Sequence, residues 1–138
     1  LRVMGRETEA VAMLERGLEQ VPDDAALHHA LGLARVRSGD VAAAMGSLQR
    51  ATELDPDSAR YAYVYAVALH STGQADRAIR LLGESARRWP RERDTLLALA
   101  SFQAQAGRLD AARETARRLL EAHPADRDAQ ALAAQLGK

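Results

Sequence analysis

The stretch "HSTGQADRAIRLL", residues 70–82, contains the feature that decides the fold. An apolar pattern of helical type runs up to His70, breaks around Gly73, and resumes from Ala75 with an alanine-rich face. A single Gly can interrupt any helix, so Gly73 carries information only through its spacing to other residues. The same break occurs at equal distances before it and after it along the chain. The chain is therefore organised as a repeat.

Two residue types recur every 34 residues along the chain. They are Gly5, Gly39, Gly73 and Gly107, and Pro22, Pro56, Pro90 and Pro124. Self-similarity at a fixed period of this length is typical of stacked arrays. Each period predicts a helix A (about 25–38, 59–72 and 93–106) and a helix B (about 41–54, 75–88 and 109–122).

Turn and capping residues fit this division into helices. Gly can adopt the left-handed conformation that ends helix A, and Pro stands where helix B must have finished. Asp23, Asp57 and Asp126 are predicted to cap the helices A that follow them, and Asp40 is predicted to cap a helix B.

The chain resembles the tetratricopeptide repeat family, whose pattern is W-x₂-L-G-x₂-Y, then A-x₃-F, then P. The first part corresponds to "HHALGLAR" (28–35), "AYVYAVAL" (62–69) and "LLALASFQ" (96–103), and the second to "AMGSL" (44–48), "AIRLL" (78–82) and "ARETA" (112–116). The departures are confined to the aromatic positions, which hold smaller or aliphatic residues and His28. The resemblance implies an all-α fold, a right-handed α-solenoid of stacked helix-turn-helix units.

The repeat also predicts how the single domain, residues 1–138, is divided. A partial repeat (1–22, mainly helix B) precedes three complete repeats (23–56, 57–90 and 91–124) and a closing helix (125–138). The chain does not begin with Met, which predicts a fragment of a longer protein. Open ends of such an array would allow a homodimer.

Composition disfavours several classes of partner. Nineteen basic residues balance nineteen acidic residues, so the chain has no global attraction to nucleic acid or to an anionic membrane surface. No apolar run is long enough for membrane insertion. Arginines do surround Trp89, but acidic residues interleave with them, so packing of Trp89 between repeats is the favoured interpretation.

No residue pattern predicts catalysis, a metal or another cofactor. The chain has no Cys, and no nucleophile elbow, Gly-rich phosphate loop or HExxH motif is present. His29 and His70 are predicted on the same side of the array, but no carboxylate or Cys completes a ligand set. The sequence therefore predicts a protein that is not an enzyme.

The inner face of the helices A is the remaining candidate surface. In the resembled family these helices line a concave groove that holds a peptide or helix of a partner protein. The corresponding residues here are His29, Leu33, Val36, Arg37, Tyr63, Val67, His70, Leu97, Ser101 and Gln105. This mixture suits an extended or helical apolar segment with polar edges. The Lys and Asn residues with which chaperone-tail binders hold a terminal carboxylate are absent from these positions.

A non-catalytic protein-interaction module is the main functional hypothesis, and two alternatives stay open. The first is a structural or self-association scaffold. The second rests on "ARYAYVYAVALHSTGQ" (59–74), which is similar to the tetratricopeptide portion of some bacterial multihaem c-type cytochromes. That resemblance implies an accessory segment of a periplasmic cytochrome or assembly protein. The sequence leaves the compartment open between bacterial cytoplasm and periplasm.

Overall fold

The computed structural model describes residues 2–137, and side chains from residue 5 to residue 137. This part of the chain consists of helices and turns, without a strand. The helices are α1 (Arg2–Gln20), α2 (Ala25–Arg37), α3 (Val41–Leu54), α4 (Ala59–Ser71), α5 (Ala75–Arg88), α6 (Arg93–Gln105), α7 (Leu109–Ala122) and α8 (Arg127–Leu136).

The helices from α2 to α7 begin and end within one residue of the predicted bounds. Three of the repeating glycines adopt the left-handed conformation, with φ of 87° at Gly39, 84° at Gly73 and 79° at Gly107. A side chain at such a φ would be strained, which explains why Gly recurs between a helix A and its helix B.

The predicted capping residues were correct for two helices and wrong for two. Asp40 and Asp126 accept hydrogen bonds from backbone N–H groups three residues on, at 3.2 and 3.0 Å. For α2, however, the capping residue is Asp24 rather than Asp23. For α4 the hydroxyl of Ser58 accepts the bond from the Tyr61 N–H, in place of Asp57. The turn that contains Pro is one residue longer than predicted. The residue that caps the helix is therefore the second after Pro and not the first.

Gly5 does not form the turn that the repeat period predicts. It lies inside α1, which is continuous from Arg2 to Gln20. Gly tolerates the helical conformation as readily as the turn conformation.

Backbone contacts divide the chain into two compact units, residues 1–68 and 69–138. In unit 1, α2 packs against both α1 and α3. Gly32 of α2 lies so close to α3 that a Cβ placed there would be 2.5 Å from Leu48 Cδ2. Beside this contact, Arg35 of α2 donates a hydrogen bond to the Ser47 hydroxyl of α3 at 2.8 Å. Small residues thus set the helix separation, and a polar pair fixes the register.

In unit 2, α6 packs against α5 and α7, and α8 packs against α7. Its core includes a cluster of buried residues from α6, α7 and α8, namely Ala100, Ala112, Ala116 and Leu136. The Thr115 hydroxyl donates to the Gln103 side-chain oxygen at 2.7 Å. This pair occupies the same repeat positions as Arg35 and Ser47, so one interhelical hydrogen bond recurs with different residue types.

Candidate partner-binding surface

Helix α2 contributes four of the predicted surface residues to unit 1. They are spaced so that they share one helix face, from His29 and Leu33 to Val36 and Arg37. His29 and Leu33 are half-buried, whereas Val36 is 43% exposed. Arg37 Nε donates to both carboxylate oxygens of Glu7 at 3.1 Å. The last turn of α2 therefore offers an aliphatic side chain next to a guanidinium that already has a partner on α1.

His29 is held by α4 rather than left free. Its ring stacks on the Tyr61 ring, with centroids 4.4 Å apart and planes inclined by 28°. Its Nδ1 is buried and has no hydrogen-bond partner in the described part of the chain. Burial, and then the nearby positive charge of Arg60, lowers the pKa of His29 below 6.5. The imidazole is therefore neutral near pH 7.

Helix α4 adds Tyr63 and Val67 to the same unit. Tyr63 is half-buried, and the Arg60 guanidinium carbon lies 5.8 Å from the centre of its ring. This distance is within the range of a cation–π contact. Val67 is 38% exposed. These residues and the four on α2 form what we call the unit 1 surface: His29, Leu33, Val36, Arg37, Tyr63 and Val67.

The remaining predicted residues belong to unit 2, where they form the unit 2 surface: His70, Leu97, Ser101 and Gln105. The His70 ring stacks on the Phe102 ring with centroids 3.8 Å apart and planes inclined by 5°. Leu97 and Ser101 are half-buried on α6, and Gln105 is exposed at its end. The unit 2 surface is thus more polar than the unit 1 surface.

Sequence reasoning missed three residues that shape these surfaces. The position of Arg60 three residues before Tyr63 was a usable signal, because residues at this spacing are neighbours on a helix. Tyr61 and Phe102 gave no such signal. Each is separated in sequence by almost a full repeat from the His on which it stacks, and the contact depends on how two helices cross.

An ion-pair network joins the beginnings of α6 and α8 within unit 2. Arg93 pairs with Asp94 at 2.9 Å, with Asp128 at 2.7 Å, and with Asp126. The hydrogen bonds from Arg93, followed by that from the Ala129 N–H, lower the pKa of Asp126 to about 2. The Asp126 side chain is only 16% exposed. This network fixes α8 relative to α6 and was not predicted.

The family model described as Tetratricopeptide repeat matches residues 4–68 and again residues 69–136. The chain belongs to the tetratricopeptide repeat family. The predicted fold class, an all-α tetratricopeptide solenoid, is confirmed. The fold is typically a non-catalytic scaffold, and members of the family generally bind protein or peptide partners.

Solved structures of other tetratricopeptide proteins are similar to this chain. MamA from AMB-1 is 25% identical, with 96% of this chain and 78% of that chain covered and a TM-score of 0.80. YrrB, a TPR protein with an unusual peptide-binding site, is 18% identical, with 96% and 68% covered and a TM-score of 0.78. A tetratricopeptide repeat protein from Parabacteroides merdae ATCC 43184 is 18% identical, with 96% and 53% covered and a TM-score of 0.89. No curated protein sequence matches this chain.

Two further findings concern the described residues. They contain no group of three or more His, Cys, Asp or Glu side chains that could hold a metal ion. Among the helices whose residues are described, none has the length and apolar character needed to span a membrane.

Trp89, for which packing between repeats is the favoured interpretation, is half-buried, and the Arg88 guanidinium carbon lies 5.1 Å from its ring centre.

Proposed function

We propose that this tetratricopeptide chain binds a peptide or helical segment of a partner protein through the inner faces of its helices A. The observation that carries the proposal is the exposure of aliphatic side chains on the unit 1 surface. Val36 and Val67 are 43% and 38% exposed, although they flank side chains that are half-buried. An apolar face with an aromatic residue and cationic edges suits an amphipathic segment.

The available binding energy fits a modest affinity. Covering the exposed part of each valine would contribute about 1 kcal/mol, at about 25 cal/mol per Å² of apolar surface. Tyr63 would add contact area with little loss of side-chain freedom. After the cost of association, a few such contacts would give a dissociation constant in roughly the micromolar range. We propose the same role for the unit 2 surface, where Ser101 and Gln105 would select more polar side chains.

A matched pair of variants tests this proposal. Peptides would be selected on the full 138-residue chain from a random dodecapeptide display library, and their affinities measured by fluorescence polarisation. The double variant Val36→Glu, Val67→Glu should weaken binding by at least about tenfold, since it removes roughly 2 kcal/mol of apolar contact.

Leu109→Glu is the control for those variants. Leu109 is an aliphatic residue at the start of α7, a helix B, and is 44% exposed, which is close to the exposure of the two valines. Its substitution should leave the affinity within about twofold of the original. Equal losses in both variants, or a failure to select any peptide, would contradict partner binding by the inner face.

A separate observation favours self-association as a second candidate function. Met13 on α1 is 64% exposed. Ser47 and Thr115 occupy the same position in later repeats, one and three periods further along, and are only 6% and 4% exposed. A second copy of the chain could cover this apolar side chain. Sedimentation of the chain and of Met13→Glu over a range of concentrations tests this. Identical monomers in both would count against it.

A further inference from the structure

Four residues of unit 1 form a cationic and aromatic cluster, which we call the His29 cluster: His29, Arg60, Tyr61 and Tyr63. Arg60 is exposed, lies over Tyr63, and, within residues 5–137, has no carboxylate at ion-pair distance. Two arginines of α2 differ in this respect, because Arg35 pairs with Glu15 at 3.4 Å and Arg37 with Glu7 at 3.1 Å. The cluster thus has a positive charge that the described chain does not balance.

The positive charge of Arg60 affects the protonation of His29. His29 is half-buried against Tyr61, and its Nδ1 has no partner in the part of the chain that is described. The positive charge of Arg60 adds to the effect of burial in disfavouring a proton on the imidazole. A negative charge brought to Arg60 from outside would remove this electrostatic effect.

The other charged groups around His29 are already engaged. On α2 itself, the ring of His28 bonds to the Pro22 carbonyl at 2.8 Å. Glu7 and Glu15 of α1 are the ion-pair partners of Arg37 and Arg35. On α3, Arg50 pairs with Asp23 at 3.2 Å and Asp40 caps the helix. From α4 the charged contributor is Arg60, which lies over the ring of Tyr63, and the Tyr61 ring stacks on His29.

We propose that the unit 1 surface binds a partner segment in which a Glu or Asp side chain meets Arg60 while an aliphatic side chain covers Val67. This inference rests on the proposed function and adds the chemistry of the ligand. Arg60 and Val67 are seven residues apart on α4, which places them about 10 Å apart along the helix axis. Tyr63 lies between them on the same face.

This spacing defines the ligand sequence. In an extended peptide, about 10 Å corresponds to three residues, and in a helical peptide it corresponds to about seven. The acidic and aliphatic side chains should therefore be three residues apart in an extended ligand or seven apart in a helical one. A single guanidinium beside a phenol and a valine favours one carboxylate over a polyanion, for which several unpaired cations are usual.

The same library selection, read for composition, tests the inference. Peptides selected on the original chain should be enriched in Glu or Asp at one of these spacings from Leu, Ile or Val. A synthetic peptide with its acidic residue replaced by Gln should bind about two- to fivefold more weakly, as expected for an exposed ion pair. On the Arg60→Gln chain the two peptides should bind equally well.

Arg80→Gln is the matched control, since Arg80 is an exposed arginine on α5, a helix B outside unit 1. It should preserve the preference for the acidic peptide. If the selected peptides lose binding in the Val36→Glu, Val67→Glu variant but show no acidic enrichment, the proposed function stands and this inference is wrong. If the acidic preference survives Arg60→Gln, the carboxylate binds elsewhere and the inference is also wrong.

Nuclear magnetic resonance of the His29 ring gives an independent readout. In the free chain the ring should titrate below pH 6.5, and the acidic peptide should raise this midpoint while its Gln counterpart does not. Because the complex then holds a proton more tightly, binding of the acidic peptide should strengthen as the pH falls from 8 toward 5.5. A His29 midpoint that both peptides leave unchanged would overturn the assignment of the carboxylate to this cluster.

Discussion

Gly32 is the position where one added methyl group should destabilise unit 1 most clearly. A Cβ at this residue would lie 2.5 Å from Leu48 Cδ2, 2.7 Å from its Cγ and 3.3 Å from its backbone nitrogen. Leu48 is only 1% exposed, so its side chain cannot turn out into solvent to relieve the contact. Gly32→Ala therefore requires either a strained Leu48 rotamer or a wider separation of α2 and α3.

Two opposing terms set the size of the effect. Overpacking of a closed core costs about 1–3 kcal/mol, and the upper half of that range applies because the clash includes the branch point of Leu48. Replacing Gly by Ala inside a helix returns about 1 kcal/mol. The net destabilisation should be about 1–2 kcal/mol. Gly46→Ala on α3 is the control, because its Cβ would meet nothing within 4 Å. It should stabilise by about 0.5–1 kcal/mol.

Urea unfolding followed by far-ultraviolet circular dichroism measures both variants against the original chain. In unit 2 the positions equivalent to Gly32 and Leu48 both hold a buried alanine, Ala100 and Ala116, so two alanines can pack at this contact. A double-mutant cycle that combines Gly32→Ala with Leu48→Ala therefore tests the contact itself. The coupling energy should be at least about 1 kcal/mol, with the double variant less destabilised than the two single changes would predict. A Gly32→Ala chain as stable as the original would refute the close approach of α2 and α3.

Two further predictions concern unit 2. Gly107→Ala should lower the free energy of unfolding by about 1–2 kcal/mol in the same urea assay, because φ at this turn is 79°. Gly107→Asn should lower it by less, since Asn adopts the left-handed conformation more readily. Equal free energies of unfolding for the two variants would contradict this. The pKa of Asp126 is lowered to about 2, so the stabilising effect of its pairing with Arg93 is complete above about pH 4 and is lost as the pH falls toward 2. Asp126→Asn keeps a helix-capping side chain, so its melting temperature should fall less steeply over this acid range than that of the original chain; parallel curves would exclude this contribution.

The fold could be predicted closely because the signals that define it are local and recur. Gly39, Gly73 and Gly107 mark turns that require a left-handed backbone, and the prolines mark where helices B have ended. The prediction was wrong at Gly5, because the same residue type is compatible with a continuous helix. A repeated Gly therefore does not predict a turn by itself.

The candidate surfaces could be predicted only in outline. Helical spacing groups the predicted residues on one face of α2 and one face of α6. It could not show that His29 stacks on Tyr61, or that Arg93 pairs with Asp126. The members of each pair are almost a full repeat apart in sequence, and their contact depends on the crossing of two helices rather than on the pattern of either one. The binding role of the two surfaces remains a prediction.

Comparison of equivalent positions in successive repeats shows which residue types are restricted by helix packing and which positions can vary. Ala44, Ala78 and Ala112 occupy one repeat position, and all three are 0% exposed, since a larger side chain there would separate the helices.

At the position of Arg60 the preceding repeat has Ala26 and the following repeat has Asp94. This position therefore changes from neutral to positive to negative along the chain while the helices around it keep their bounds. Asp94 is paired with Arg93, so its charge is balanced within unit 2, whereas that of Arg60 is not balanced by a carboxylate in the described chain. An acidic ligand should consequently bind in one register only, because its carboxylate would be attracted by Arg60, whereas the equivalent position one repeat later has Asp94 and offers no positive charge.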